Sequence, residues 1–595
     1  MAAISFTARR WVVRTAILLL FATVIAVWLG LSGLSAQRHL QAARAALDTA
    51  RQALLDGRPQ EARAAVVRAG KDTARARALT DDPVWKATAA LPYVGVTLKA
   101  VRAVVAGADD LSRVVLPGAV AAAESLSPQT LRRADGSFDL ARIKAAAPEV
   151  HASALAAQGV RDRLGRPAGP VVGAVATAQR QLAAQVDQVV DLLGSADRTL
   201  KLAPALLGSD RARRYLVLVQ QSAESRGTGG LIGGFAVIEA EAGQLRTVDQ
   251  GSNADLENGA VAVPPGVPAS YVDLYGGDGA LELWQNVNLS PDLPTVARVV
   301  EALWQAQGGK PLDGVIALDS VALASILRGT SPLVVGDLTV APDRLVEFLA
   351  VEQYRGVSGN RDRGVRKDLL SDFAVAAAAT LSSPGSDTRA LVRGLAEAVT
   401  SGHLRMTSRD SLLQPGLRAA EVDGALPGGA GPLAFPVVSN ATGGKLDYFL
   451  DRSVVYLAGP CQGVRRPSSI SVRLTNQAPA EGLPPYMTVR NVDGVSTEST
   501  DSGVVLRVYG TPGSRLIRAT LDGRPLTMDA VGSAPYLSYG VEAGIPQWFL
   551  TLDLPRGKPR QLVLQLAEPT VPGQARIPVQ PLSRPLGVRV AVPAC

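Results

Sequence analysis

The stretch "YLVLVQQSAESRGTGGLIGGFAVIEAEAGQL", Tyr215 to Leu245, decides how the chain is read. Its first part has the aliphatic and β-branched make-up of a buried strand. That run ends in Glu224, Arg226 and five glycines between 227 and 234. The chain then returns to strand in "GGFAVIEAEAGQLRTVDQ", a pair turning at "EAGQ". No Gly-Lys-Ser/Thr follows and no helix follows, so the loop is neither a Walker A loop nor a dinucleotide fingerprint. Two readings stand. In one, glycine backbone N–H groups cradle an anion that Arg226 clamps bidentately. In the other, the loop is a tight buried connection in which Glu224 and Arg226 pair with each other or with a neighbour.

Outward from this stretch the texture divides the chain. After it, "TVARVVEALWQAQG" has helical period and "LDGVIALDSVALASILRG" reads as strand then helix. "PDRLVEFLAVEQYRG" and "RKDLLSDFAVAAAATLSS" read as further helices. Alternation of this kind predicts an α/β layered domain over 201–440. Over 441–595 short alternating runs such as "SISVRLTNQAP", "GVVLRVYG" and "RQLVLQLAEP", broken by Gly and Pro, predict a β-sandwich. Before it, 37–200 is Ala-, Arg- and Leu-rich with helical period, a spacer of helices whose Arg and Asp face water. The whole is α+β and multidomain, as 595 residues exceed what one core serves.

Residues 15–36, "TAILLLFATVIAVWLGLSGLSA", carry no charge and are long enough to cross ~30 Å of hydrocarbon. Arg9, Arg10 and Arg14 precede them, which places 1–14 in the cytoplasm, the lipid bilayer around 15–36 and the bulk of the chain outside. The rival is a signal peptide cleaved before Gln37. The net charge of +8 is diffuse, with acids interspersed among arginines, and gives no nucleic-acid footprint. Two cysteines, Cys461 and Cys595, without a Cys/His cluster, exclude a zinc site; the readings are one disulfide or two buried thiols. His39, His151 and His403 are the only histidines, scattered and read as surface residues, so a Ser/His/Asp site has little material. No catalytic residue is assigned.

The opening stretch, with "LPYVGVTLKAVRAVV", "VARVVEALWQAQGGKPLDGVIALDSVALASIL" and "NATGGKLDYFL", resembles the bacterial domain of unknown function 4012 family over most of 80–460. More loosely, the order of strand, glycine turn, strand pair, helix and "QYRGVSGNRDRGVRKDLL" is similar to the LytR-CpsA-Psr envelope ligases. That second resemblance implies a polyprenyl pyrophosphate held with magnesium, and transfer of its polysaccharide to the cell wall. It implies a ligand-binding role for Arg226, Asp255, Arg355, Arg363, Arg366 and Lys367, since a pyrophosphate needs several fixed cations. The metal-binding Asp after the glycine turn is not matched in "GGLIGGFAV", and of the Arg-Asp pair after the next strand only Asp255 in "GSNADL" remains. The alternatives are a non-catalytic scaffold or adaptor of envelope polymer assembly and, for "NRDRGVRK", a solvated helix start whose charges pair with each other.

Overall fold

The computed structural model describes residues 6–55, 58–92, 94–125, 131–164, 173–335, 338–355, 388–461, 463–492, 494–528 and 536–595. The protein is α+β and divides into two compact units, a helical one (1–133 with 139–204) and a sheet-rich one (134–138 with 205–595).

In the helical unit α1, Phe6–Leu55, is one continuous helix. Among the described residues it is the one long and apolar enough to cross a membrane. Ile17, Leu18, Leu19, Leu20, Phe21, Val24 and Val27 all stay more than half exposed, so these side chains are not covered by the described residues of the unit. Helix α2, Pro59–Thr80, begins at a proline that fits the first turn and packs antiparallel on α1. Ala53 clusters with Ala62, and Ala36 with Ala76, small side chains that let the two backbones approach closely. Helices α3 (Pro83–Ala89) and α4 (Val94–Asp110) follow. A π turn, Leu111–Val115, then leads into α5, Leu116–Ser125. Leu111 and Val115 form a core with Ala157 of α6 (Leu140–Leu164) and Leu182 and Val186 of α7 (Gly173–Leu206). The expectation that charges face water fails at Asp109. It is buried just ahead of the π turn and accepts from Thr73 Oγ1 at 3.1 Å and Arg77 Nη1 at 3.0 Å.

The sheet-rich unit opens with β1 (Arg213–Arg226), β2 (Gly229–Glu241) and β3 (Gln244–Ser252). They join β4 (Gly314–Asp319) and, in numerical order after the short hairpin β5–β6 (Leu333–Val335, Leu338–Val340), β7 (Leu404–Met406). The sheet order is β3-β2-β1-β4-β7, and only β1 and β4 run parallel. The sheet is therefore mixed. Between β3 and β4 lie α8 (Ala269–Tyr275) and α9 (Leu293–Ala306), whose Tyr271, Tyr275, Val296, Val300 and Leu303 build one core with Leu216 and Leu218 of β1. Helix α10, Ser320–Leu327, follows β4 directly, because Asp319 Oδ1 caps the amides of Val321 and Ala322 at 2.9 Å each.

The C-terminal sheets begin ahead of 441. Strand β8, Ala434–Asn440, pairs with β13, Ser502–Gly510, and every residue of β8 is buried. It lacks the alternation of a half-exposed strand, and Pro436 is tolerated because β8 is an edge in the order β16-β17-β13-β8, where β16 is Ser538–Glu542 and β17 Ile545–Leu554. Besides a small hairpin β11–β12 (Val489–Val492, Val495–Glu498), the second sheet comprises β9 (Leu450–Ala458), β10 (Arg465–Asn476), β14 (Arg515–Leu521), β15 (Arg524–Leu526), β18 (Arg560–Pro569) and β19 (Leu586–Ala591), in the order β15-β14-β18-β10-β9-β19 with β9 parallel to β19. Val438, Val504 and Leu550 share a core with Val454, Ile470 and Leu564, so residues of both sheets bury one another. Cys461 and Cys595 stand at disulfide distance, their Cα atoms 5.7 Å apart.

Candidate functional site

Strands β1 and β2 stay paired down to Arg226↔Gly229, which leaves Gly227 and Thr228 as the turn. Residues 222–230 are all buried. A Cβ at Gly227 would lie 2.2 Å from the Leu289 carbonyl oxygen, and one at Gly230 would lie 2.3 Å from Gln221 backbone. The glycines thus allow other backbone to close over the tip. Asn288 Nδ2 donates to Thr228 Oγ1 at 2.9 Å and to the Gly230 carbonyl at 2.8 Å, and Gln580 Nε2 donates to the Arg226 carbonyl at 2.7 Å. Of the two readings, the tight buried connection is the one the tip adopts.

The neighbour that pairs with Glu224 is Lys445, in the "NATGGKLDYFL" stretch, and both side chains are nearly enclosed. Lys445 Nζ also sits 5.2 Å from the Tyr486 ring centre and 5.8 Å from that of Tyr354. Burial pulls the ammonium pKa down, but Glu224 and the two tyrosines outweigh it, and the net is a rise to about 12. Alongside, the buried Asp447 carboxylate accepts from Ser225 N at 2.9 Å, Ser225 Oγ at 2.6 Å and Asn440 Nδ2 at 3.1 Å. Burial raises its pKa despite those donors. Asn440 Oδ1 in turn holds the amides of Thr442 and Gly443, which shapes the loop that presents Lys445.

Arg226 is buried and donates to carbonyls of Gln285 (2.9 Å), Ser225 (3.0 Å) and Asn440 (3.3 Å). Burial lowers its pKa. Its donors are committed inside the fold, which corrects its reading as a phosphate clamp. Asp255 Oδ2 turns back onto Ser252, accepting from its N at 2.8 Å and its Oγ at 2.9 Å, and so fastens the turn that Asp255 N closes on the Ser252 carbonyl at 3.1 Å. Arg355 is exposed at the end of a short 3-10 turn, Glu352–Tyr354. Arg363, Arg366 and Lys367 lie outside the described residues. Among the described residues no three His, Cys, Asp or Glu side chains converge as a metal site. With Asp255 occupied by Ser252, the described residues among them do not fit a magnesium ion.

The concentration of cations lies elsewhere. A cleft of about 1000 Å³ is lined by Arg405, Arg418, Arg452, Arg576 and Arg584 against two carboxylates, Glu421 and Asp423. Arg418 pairs with Asp423 at 3.4 Å, and Arg584 with Asp451 at 2.7 Å. Among the described residues, Arg405, Arg452 and Arg576 have no carboxylate within 4.0 Å and are held by carbonyls alone. Strand β7 positions Arg405 opposite Ala317, and its stem crosses Gly424, where a Cβ would lie 2.5 Å from Arg405 Cδ. Arg452 Nη2 donates to the Arg584 carbonyl at 2.9 Å, and Arg576 Nη2 to those of Gly429 and Gly431 at 3.1 and 3.3 Å. Burial draws Arg405 and Arg452 down to about 10 and lowers Arg576 as well. All three stay charged at neutral pH, and an anion in the cleft would offset the cost of holding them there. At one wall His403 is nearly buried, its Nδ1 2.5 Å from Asp319 Oδ2, which corrects its reading as a surface residue.

A second cleft, of about 960 Å³, is lined in part by a carboxyl with a raised pKa. Glu301 of α9 is buried, 3.4 Å from Arg409 Nε, and burial pushes its pKa up to about 7 against the pull of Arg409 and Arg298. The folded state therefore holds a proton that the unfolded chain releases near pH 4.3. Its contribution is fully present below that value and is lost as pH rises through 7. Glu301→Gln is expected to stabilise the protein at pH 8 relative to pH 5 by about 2 kcal/mol, given roughly 1.4 kcal/mol for each tenfold change in proton affinity. Denaturant unfolding of both proteins at the two pH values reads this, and an unchanged difference would refute it.

The geometry defines an α+β protein with a polar-cored β-hairpin and a cationic cleft. Residues 210–354 match the model of the family described as Protein of unknown function (DUF4012). The matched stretch is narrower than 80–460; it contains Glu224, Ser225 and Arg226 but not Lys445 or Asp447, their partners. No curated protein matches the chain.

Proposed function

We propose that this is a single-pass membrane-anchored protein of the cell envelope, its bulk outside the cytoplasm, that binds a polyprenyl-pyrophosphate-linked polysaccharide through its cationic cleft. The observation that supports the reading is the cleft's excess of arginine, three of them without a carboxylate partner among the described residues. Guanidinium forks match phosphate oxygens two at a time, and a diphosphate presents enough charge for several of them. The exposed apolar stretch of α1, with Arg9, Arg10 and Arg14 before it, supports the anchoring and its orientation. We read the two C-terminal sheets with their shared core as a β-sandwich, and the mixed sheet beside them as the LytR-CpsA-Psr-like part. The commitment of Arg226 and Asp255 to internal bonds favours binding without transfer, in keeping with a scaffold or adaptor of envelope polymer assembly.

The test is titration of the full chain in detergent with inorganic pyrophosphate and with a short polyprenyl pyrophosphate. Arg405→Ala is expected to weaken both by about tenfold or more, since a hydrogen bond to a charged group contributes roughly 1.5–3 kcal/mol. Arg405→Lys should recover only part of the loss, because lysine lacks the fork. Unchanged affinity in Arg405→Ala, or no binding of either probe to the parent protein, rules the cleft out as the site.

A further inference from the structure

We propose that Leu91, just after α3, and Val94, the first residue of α4, form a second membrane contact, resting in the lipid interface beside the outer end of the membrane-spanning part of α1; the inference rests on the anchoring reading. Two tryptophans mark the span. Trp11 and Trp28 are both more than half exposed, and about 26 Å of helix separates them at 1.5 Å per residue. That is close to the hydrocarbon thickness, and tryptophan favours the boundary between tails and headgroups. The outer boundary then falls at Trp28, and the helix beyond it runs through the headgroup layer.

The α3 segment is tied to that level. Ala76 near the end of α2 lies beside Ala36, so α2 leads the chain back toward the apolar part of α1. Asp82 caps α3 by accepting from Trp85 N at 2.8 Å, while its other oxygen accepts from Trp28 Nε1 at 2.8 Å. Trp85, itself buried, donates through Nε1 to Ser32 Oγ at 2.8 Å and lies 3.7 Å from where a Cβ would stand on Gly33. The start of α4 lies close against the end of α3. Gly95 N donates to the Leu91 carbonyl at 3.1 Å, and a Cβ on Gly95 would meet the Ala89 carbonyl oxygen at 2.3 Å. Yet Leu91 and Val94 are 55% and 59% exposed, as are Leu31 (62%) and Leu34 (56%) on α1, which flank the Ser32 and Gly33 that Trp85 meets. Four exposed aliphatic side chains, two flanking the α3–α4 connection and two on the helix that α3 is tied to, make a collar that extends the span, and the bilayer is the occupant that already surrounds that helix. Lys86 and Asp81, paired at 3.2 Å on the same segment, suit the headgroup layer rather than the hydrocarbon.

The test uses the full chain in lipid nanodiscs, its native cysteines left joined, with a nitroxide placed singly by Leu91→Cys, Val94→Cys, Leu20→Cys or Val67→Cys. Power saturation compares access by oxygen, which partitions into lipid, with access by a water-soluble nickel chelate. Leu91→Cys and Val94→Cys are expected to favour oxygen several-fold more than Val67→Cys, an exposed position on α2 away from the span. If Leu20→Cys favours oxygen but Leu91→Cys behaves like Val67→Cys, the second contact is overturned and the anchor stands. If Leu20→Cys also behaves like Val67→Cys, the anchor fails and the contact with it. Spin–spin broadening at Leu91→Cys without oxygen preference would assign the collar to a second copy of the chain, and would equally overturn the proposal.

Discussion

Replacing Lys445 by methionine is expected to destabilise the sheet-rich unit by about 3–5 kcal/mol, the scale of leaving one member of a buried ion pair uncompensated. Lys445 and Glu224 are each about 10% exposed, so the orphaned carboxylate gains little from water. Asp447, buried beside it, adds a second carboxyl that burial already disfavours in its charged form. The substitution keeps much of the volume between Tyr354 and Tyr486, so the loss is electrostatic more than steric. Adding Glu224→Gln should restore a large part, because an amide costs far less to bury than an unpaired charge. Hydrogen exchange of the full chain in graded urea reads this locally, in peptides covering Arg213–Arg226 and Ala434–Asn440. A shift below about 1 kcal/mol in Lys445→Met would show that the pair contributes no more than a surface contact.

Cys595→Ser is expected to cost up to about 5 kcal/mol on the chain-entropy account of a loop this long. The two cysteines are separated by 134 positions, and the bond pins the end of β19. The tail it holds also completes the surroundings of Arg466, a fully buried guanidinium that donates to the Pro593 carbonyl at 2.7 Å and to Glu568 Oε1 at 3.2 Å. Losing the tail leaves Arg466 short of an acceptor, a cost additional to chain entropy. Exchange should accelerate first in Leu586–Ala591, then in the strand it pairs with, Leu450–Ala458. Equal protection with and without a reductant would mean that the bond adds nothing to the fold.

Much of the fold was legible because it is local. Apolar runs bounded by Gly and Pro marked β1, β2, β3 and β4, and helical period marked α9, since each periodicity is imposed by the element's own geometry. The uncharged run in α1 likewise follows from composition alone. β8 escaped because a strand buried along its length shows no alternation and carries a proline. The glycines 227–234 were visible, but their reason was not: what they make room for is Leu289 backbone, far along the chain.

What the sequence determined by itself, then, is the anchor-like helix, the order of helical and sheet-rich parts, and the identity of a hairpin rich in glycine and charge. The tertiary structure alone decided which charges meet. Glu224 pairs with a lysine 221 residues away rather than with Arg226, and Arg405, Arg452 and Arg576 come from separate segments to line one cleft. Side-chain period records which face of an element is buried, but it does not say what is packed against that face. Coulomb energy depends on distance in space and on the exclusion of water, and neither is written along the chain.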